Sequence, residues 1–168
     1  MADPARWLNQ NFSGWSNLTA QEKRAIRDFP VLWSIFELRA TGRNGQRPNA
    51  TPQRICQAVD GLEADPTSEV FHQAKIYFAN RYFHASQPTY AFNHLQVHQD
   101  HRNRVRDALL DENAGANVVL IGLLLVINRL RNNFLHGEKA AYAFSGQLNN
   151  FRYANAVLMS AIPLWGEL

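Results

Sequence analysis

Ala116-Asn-Val-Val-Leu-Ile-Gly-Leu-Leu-Leu-Val-Ile-Asn-Arg-Leu-Arg-Asn-Asn-Phe-Leu-His136 is the most apolar part of the chain, and it ends in a dense polar run. A proline-free stretch of this length far exceeds an ordinary strand and reads as a helix. Gly137 follows at the position where a left-handed turn would end it. The greasy core, Val118 to Ile127, is interrupted by Gly122 and closed off by Arg129 and Arg131. It falls well short of the roughly 20 apolar residues that a membrane span needs. The expectation is a helix buried on most sides, which requires other helices around it.

Those neighbours announce themselves by their start and stop signals. Thr19-Ala-Gln-Glu22 is a capping-box pattern that opens a short polar helix toward Asp28. Pro30 then heads Val31, Leu32, Ile35, Phe36 and Leu38, an apolar set at helical spacing that Gly42 stops. Thr51-Pro52 starts a helix carrying Ile55, Val59 and Leu62, and Asp65-Pro66 repeats that signal before Val70, Phe71, Ala74, Tyr77, Phe78 and Phe83. A more polar helix is expected within Phe92 to Leu110, and a last one from about Gln147 to Ile162, stopped by Pro163. No stretch alternates convincingly, and Asn44-Gly45 falls in a loop between helices. The expected fold class is all-α, an antiparallel bundle of four to five main helices. It forms one domain over 1–168, with 1–18 as an N-terminal extension.

Composition narrows the class further. The 168 residues are 46% hydrophobic and 18% charged, which suits a folded domain rather than a disordered coil. The net charge is only +3, but fourteen of the seventeen cations are arginine, the side chain that grips phosphate with a planar fork. Arg39, Arg43, Arg47 and Arg54 have no acid among them across the polar loop 43–50. The segment 60–69 carries Asp60, Glu63, Asp65 and Glu69. The two blocks read as complementary surfaces or as two solvated faces. The single cysteine, Cys56, excludes an intramolecular disulfide and reads as a space-filler. The opening MADPARWLNQNF has no apolar core of a secretory leader, so a cytoplasmic location without membrane contact is expected.

The polar end of the long helix carries the functional inference. Asn128-Arg-Leu-Arg-Asn-Asn-Phe-Leu-His-Gly-Glu-Lys139 contains Arg131, Asn132 and His136: a permanent cation, an amide and a titratable imidazole. Asn132 and His136 share a face, whereas Arg131 and His136 lie about 140° apart around an ideal helix. One chain alone would struggle to aim both at one small group, but two copies of the helix across a two-fold axis could. Cations at a helix C-terminus also offset the dipole, so the cluster has a purely structural reading as well.

This constellation resembles the HEPN family, whose hallmark is Arg, usually followed by a polar residue, with four to six positions before His. Arg131, Asn132 and His136 match it with four residues between Arg and His. The resemblance implies a HEPN-like homodimeric helical bundle, often a metal-independent endoribonuclease of toxin–antitoxin or anti-phage defence systems. RNA would be the substrate, a cognate antitoxin or defence protein the partner, and no cofactor or metal would be needed. Arg131 and His136 would be catalytic, with Asn132 assisting. Lys139, Arg102 and Arg106 are candidate substrate-binding residues, and Glu37 a candidate supporting acid. The alternative within the resemblance is a non-catalytic module that binds nucleotide, RNA or protein.

Other clusters weigh less. His94, His98 and His101 stand at i, i+4 and i+7, but no cysteine pair or HExxH supports a metal site, and a solvated helix face explains them. His98, Arg102 and Arg106 form one i+4 row that could follow an RNA backbone, with Asp107 and Asp111 partly cancelling it. Glu37 is the one acid on the Pro30–Gly42 helix, either solvent-facing or set beside the seam against Arg131 and His136. Trp7, Trp15, Trp33 and Trp165 are spread along the chain and read as packing, not as a stacking platform.

Overall fold

In the computed structural model, which describes residues 3–42, 47–63, 66–136 and 146–166, the chain is mostly helical, and the all-α class stands. Two short helices, α1 (Pro4–Asn11) and α2 (Ser13–Ser16), lead into α3 (Ala20–Thr41) and α4 (Pro52–Asp60). Next come α5 (Glu69–Tyr82), a hairpin of β1 (Phe83–His84) and β2 (Gln87–Pro88), α6 (Tyr90–Leu95) and α7 (Gln99–Leu110). Then follow α8 (Ala116–Leu135), α9 (Leu148–Ala161) and a closing 3-10 turn at Ile162–Trp165.

The central helix is α8, in which Leu120 through Asn128, Leu130 and Asn133 are all buried. It is long and apolar enough to cross a membrane on length and composition, yet 61% of its most apolar window is covered by the rest of the fold. Helix α3 runs antiparallel along its C-terminal half, since Phe29 meets Phe134 edge-on and Trp33 meets Arg131. α3 also packs on α9, where Phe29 meets Phe151 and buried Asn155 donates through Nδ2 to Ala25 O at 2.9 Å. The described residues before α3 are tied to this core, with Trp15 and Leu18 buried and Leu8 and Phe12 packed against it.

Several boundaries differ from the sequence expectation. The break at Pro30 does not occur: α3 is one helix of 22 residues with the proline inside. Its capping box is present as expected, but the buried stripe Ile26, Phe29, Trp33, Phe36 and Ala40 runs through Pro30 without a change of phase. Burial along that stripe outweighs the cost of about 3 kcal/mol that an internal proline carries. Helix α5 starts after Ser68, whose side chain accepts from Val70 N, and not at the Asp65-Pro66 signal. Asp65 lies outside the described residues.

The expected helix within Phe92 to Leu110 is two helices, because Gln96 adopts φ +55° and ends α6 while His98 caps α7. Ala85 and Ser86, at φ +46° and +61°, turn the unexpected hairpin. Neither is the Asn or Gly that such a turn usually advertises.

Candidate functional site

The last turns of α8 divide by what each side chain holds. Asn128 Nδ2 donates to Ala50 O at 2.9 Å in a buried contact with the loop before α4. Arg129 Nε donates to Leu95 O at 3.1 Å, and Asn133 Nδ2 to His94 O at 3.4 Å, so these two satisfy the carbonyls at the end of α6. Three polar residues of the motif run are therefore staples between elements. Asn128→Ala leaves Ala50 O buried without this donor and is expected to lower stability by about 1–3 kcal/mol, measured by urea unfolding.

Arg131, Asn132 and His136 are not used in this way. Arg131 is half-buried, with Nη1 donating to Asn132 Oδ1 at 3.0 Å and its guanidinium carbon 6.0 Å from the Trp33 ring centre. Its Nε is buried and has no acceptor among the described residues. The Nε atoms of Arg39 and Arg81 share that condition, but Arg131 alone of the three lines a described cleft.

That cleft, about 660 Å³, is walled by Glu37, Arg47, Pro48, Asn49, Arg54 and Arg131. Arg54 Nη1 donates to Arg47 O at 3.0 Å and Nη2 donates to Thr41 O, so Arg54 fixes the loop while adding its charge. Glu37 is half-buried and lines the cleft, with its Oε1 accepting from Ala50 N at 2.8 Å. Among the described residues the cleft is lined by three arginines and one carboxylate, a set of donors suited to an anion with several oxygens. Arg47 and Arg54 were not among the expected site residues. Their signal was the acid-free arginine series, of which Arg43 lies outside the described residues.

His136 is the C-cap of α8, exposed, with its backbone N–H donating to Asn132 O at 3.0 Å. It does not line the Arg131 cleft. Arg131 and His136 therefore do not share a cleft within the chain, in keeping with their separation around an ideal helix. Asn132 stands between two environments. It accepts from Arg131 on one side and lines a smaller cleft of about 240 Å³ with His98, His101 and Arg129 on the other. Lys139 lies outside the described residues.

The histidine row is not one helix face. His94 ends α6 and packs edge-on against Tyr90, while His98 and His101 open α7 with ring centres 6.3 Å apart. His98 Nδ1 lies 3.4 Å from Asp100 N and 3.2 Å from Asp100 Oδ2. Nδ1 accepts in the first contact and must carry a hydrogen to make the second, so the two do not form together, and both side chains are solvent-exposed, which leaves either contact weak. Among the described residues no group of three or more His, Cys, Asp or Glu could hold a metal ion.

The expected arginine strip is also reshaped. Arg102 Nη2 donates to Asn93 Oδ1 at 2.8 Å, and its guanidinium covers the Phe92 ring at 4.8 Å. Arg106 pairs with its own neighbour Asp107 at 3.0 Å. Arg102 therefore braces α6 against α7, and Arg106 alone of the pair points outward. Cys56 does more than fill space, since Arg104 Nη1 donates to its sulfur at 2.9 Å.

Tryptophan roles split as well. Trp33 and Trp165 flank Phe36 in the core, as expected, with ring centres 5.2 and 5.6 Å from it. Trp15 is buried as expected, whereas Trp7 is exposed, and both line one cavity of about 630 Å³ beside Phe134 of α8. No family model, curated protein or solved structure matches the chain, so these contacts carry the functional argument by themselves.

Proposed function

We propose that this all-α chain is a HEPN-like domain that cleaves RNA without a metal or cofactor, working as a homodimer. The carrying observation is Arg131, a motif cation whose buried Nε has no acceptor among the described residues, in a cleft also lined by Arg47, Arg54 and Glu37. In the dimer, the α8 ends of two protomers bring both Arg131 and both His136 to one groove. One imidazole takes the proton of the ribose 2′-hydroxyl as its oxygen bonds to phosphorus. The other protonates the 5′-oxygen as the P–O5′ bond breaks. Arg131 holds the non-bridging oxygens, whose charge grows toward the transition state. Asn132, bonded to Arg131, steadies that guanidinium. The products are a 2′,3′-cyclic phosphate and a free 5′-hydroxyl.

A cytoplasmic defence or toxin–antitoxin setting, with a cognate protein partner and no membrane, belongs to the same proposal. The test is RNA cleavage by the purified protein in EDTA, with end-group analysis and a solution mass. A dimer that leaves cyclic phosphate ends is expected. A monomer at micromolar concentration, or metal-dependent cleavage, would overturn the composite site. A second reading, a non-catalytic nucleotide- or RNA-binding module, is favoured by one observation. Arg131 and His136 do not meet within a protomer, while Asn128, Arg129 and Asn133 serve as staples.

A further inference from the structure

Helix α8 presents a second row of side chains beside α7. Leu125, Asn128, Arg129 and Asn132 stand at i, i+3, i+4 and i+7, and with His98 and His101 they wall the cleft of about 240 Å³. The break at Gln96 shapes this wall. It parts His94, which packs on Tyr90, from His98, which caps α7, and from His101 in the first turn. His101 is half-buried, and its ring nitrogens have no hydrogen-bond partner among the described residues. His136 is next on the same α8 row, one turn beyond Asn132.

The chemistry of this cleft suits an anion. Arg129 is half-buried and uses Nε on Leu95 O and Nη2 on Asn133 Oδ1, both neutral acceptors, while Nη1 has no acceptor among the described residues. No carboxylate is among the described residues that line the cleft. Asp100, 3.2 Å from His98 Nδ1, is solvent-exposed and does not line it. A guanidinium drawn partly out of water with no counter-charge gains most from an anionic ligand. Each imidazole offers one N–H even when neutral, and the Asn132 amide, 3.5 Å from Asn128 Oδ1, has a second hydrogen to donate. Pro52 and Val97 continue the apolar wall begun by Leu125, which suits the sugar beside a phosphate better than a free inorganic ion.

We infer that this cleft holds a phosphate of the RNA strand adjacent to the one at Arg131, contacted by Arg129, His98 and His101. The inference rests on the ribonuclease reading for its substrate class and deepens it. Asn132 joins the two positions, because it walls the cleft and accepts from Arg131 Nη1 at 3.0 Å. The strand follows the α8 row, from the His98–His101 cleft past Asn132 toward His136. A dinucleotide, with one linkage, fills only one of the two positions, so a strand with two or more linkages binds more tightly.

The experiment uses the full chain and a 2′-O-methyl oligonucleotide, which has no free 2′-hydroxyl to attack phosphorus. His101→Glu places a carboxylate in the cleft and is expected to weaken binding about tenfold. The slope of log K against log salt should become shallower by about 0.7, the loss of one phosphate contact on a single strand. His98→Glu, at a side chain 71% exposed and so safe for folding, should act in the same direction. Replacing the linkages one at a time by neutral methylphosphonate then locates the contact. Wild type should be sensitive at two adjacent linkages, and His101→Glu at only one of them. Circular dichroism and solution mass check that both variants keep fold and assembly. Unchanged binding in both variants, or the same two sensitive linkages in His101→Glu, would overturn the subsite even if the protein cleaves RNA. Tenfold loss in a protein that cleaves nothing would keep the subsite and remove the nuclease. Stoichiometric zinc bound by wild type and lost in His101→Glu would make the imidazoles metal ligands, and a shift from dimer to monomer would assign the cleft to a subunit contact; either result overturns the inference.

Discussion

His136→Ala is expected to lower RNA cleavage in EDTA by at least about 100-fold, at an almost unchanged KM and with little loss of stability. A positioned proton donor or acceptor contributes roughly 10²–10⁴ in rate, and His136 is the one imidazole of the motif run. His136 is exposed at the C-cap, and its side chain holds none of the bonds that staple α8, so the fold should shift by no more than about 0.5 kcal/mol. Arg131→Ala is a less clean test, because that guanidinium is half-buried against Trp33 and bonded to Asn132. Arg131→Lys separates the two contributions: it keeps the charge, loses the planar fork, and should recover only part of the rate. Rate measured with excess RNA, beside thermal unfolding of each variant, distinguishes lost chemistry from lost structure. Full cleavage by His136→Ala would end the assignment and direct attention to His98 and His101, which share a cleft with Asn132.

How much of this was legible beforehand depends on the range of the signal. Elements governed by local chemistry were read correctly. The Thr19 capping box, the Thr51-Pro52 start and the extent of α8 follow from side chains acting on their own turn. Errors arose where tertiary packing overrode a local rule. Pro30 reads as a boundary until Phe29 and Trp33 are seen packed on α8 and α9 across it. Gln96 carries no glycine-like warning of a left-handed turn, so the break between α6 and α7 was hidden.

The site followed the same division. The motif spacing exposed Arg131, Asn132 and His136, because four or five residues on one helix are a local matter. Nothing in the spacing showed that Asn128, Arg129 and Asn133 hold distant carbonyls, or that Arg47 and Arg54 come round to face Arg131. Those contacts span from 34 to 78 positions in sequence for the α8 staples. The convergence of Trp7 and Trp15 with Phe134 was equally invisible, since it depends on how the first two helices fold back on α3.

The largest expected effect on stability lies at Gly122, where α7 crosses α8. A Cβ built there would sit 2.3 Å from Ala108 Cβ, closer than atoms tolerate. Glycine in a helix interior is worse than alanine by about 1 kcal/mol, so its presence in the most buried helix is explained by close approach, not by propensity. Ala108 is fully buried, as is Val105 one turn earlier, so the atom in conflict belongs to the packed face of α7, and relief would require that whole face to lift from α8. Gly122→Val should therefore separate the helices and cost about 3 kcal/mol or more. For a chain of this size that lowers Tm by roughly 6–12 °C. Gly122→Ala is the sharper experiment, because propensity and packing predict opposite signs. The close crossing predicts that Gly122→Ala is destabilised. It further predicts that Ala108→Gly, harmful alone, partly restores it by removing the atom in conflict. A double-mutant cycle on urea unfolding should then show coupling of about 1 kcal/mol or more between the two sites. Additive effects, or a more stable Gly122→Ala, would mean that α7 stands farther from α8 in solution. The staples from Arg129 and Asn133 to α6 would then have to hold across a looser layer.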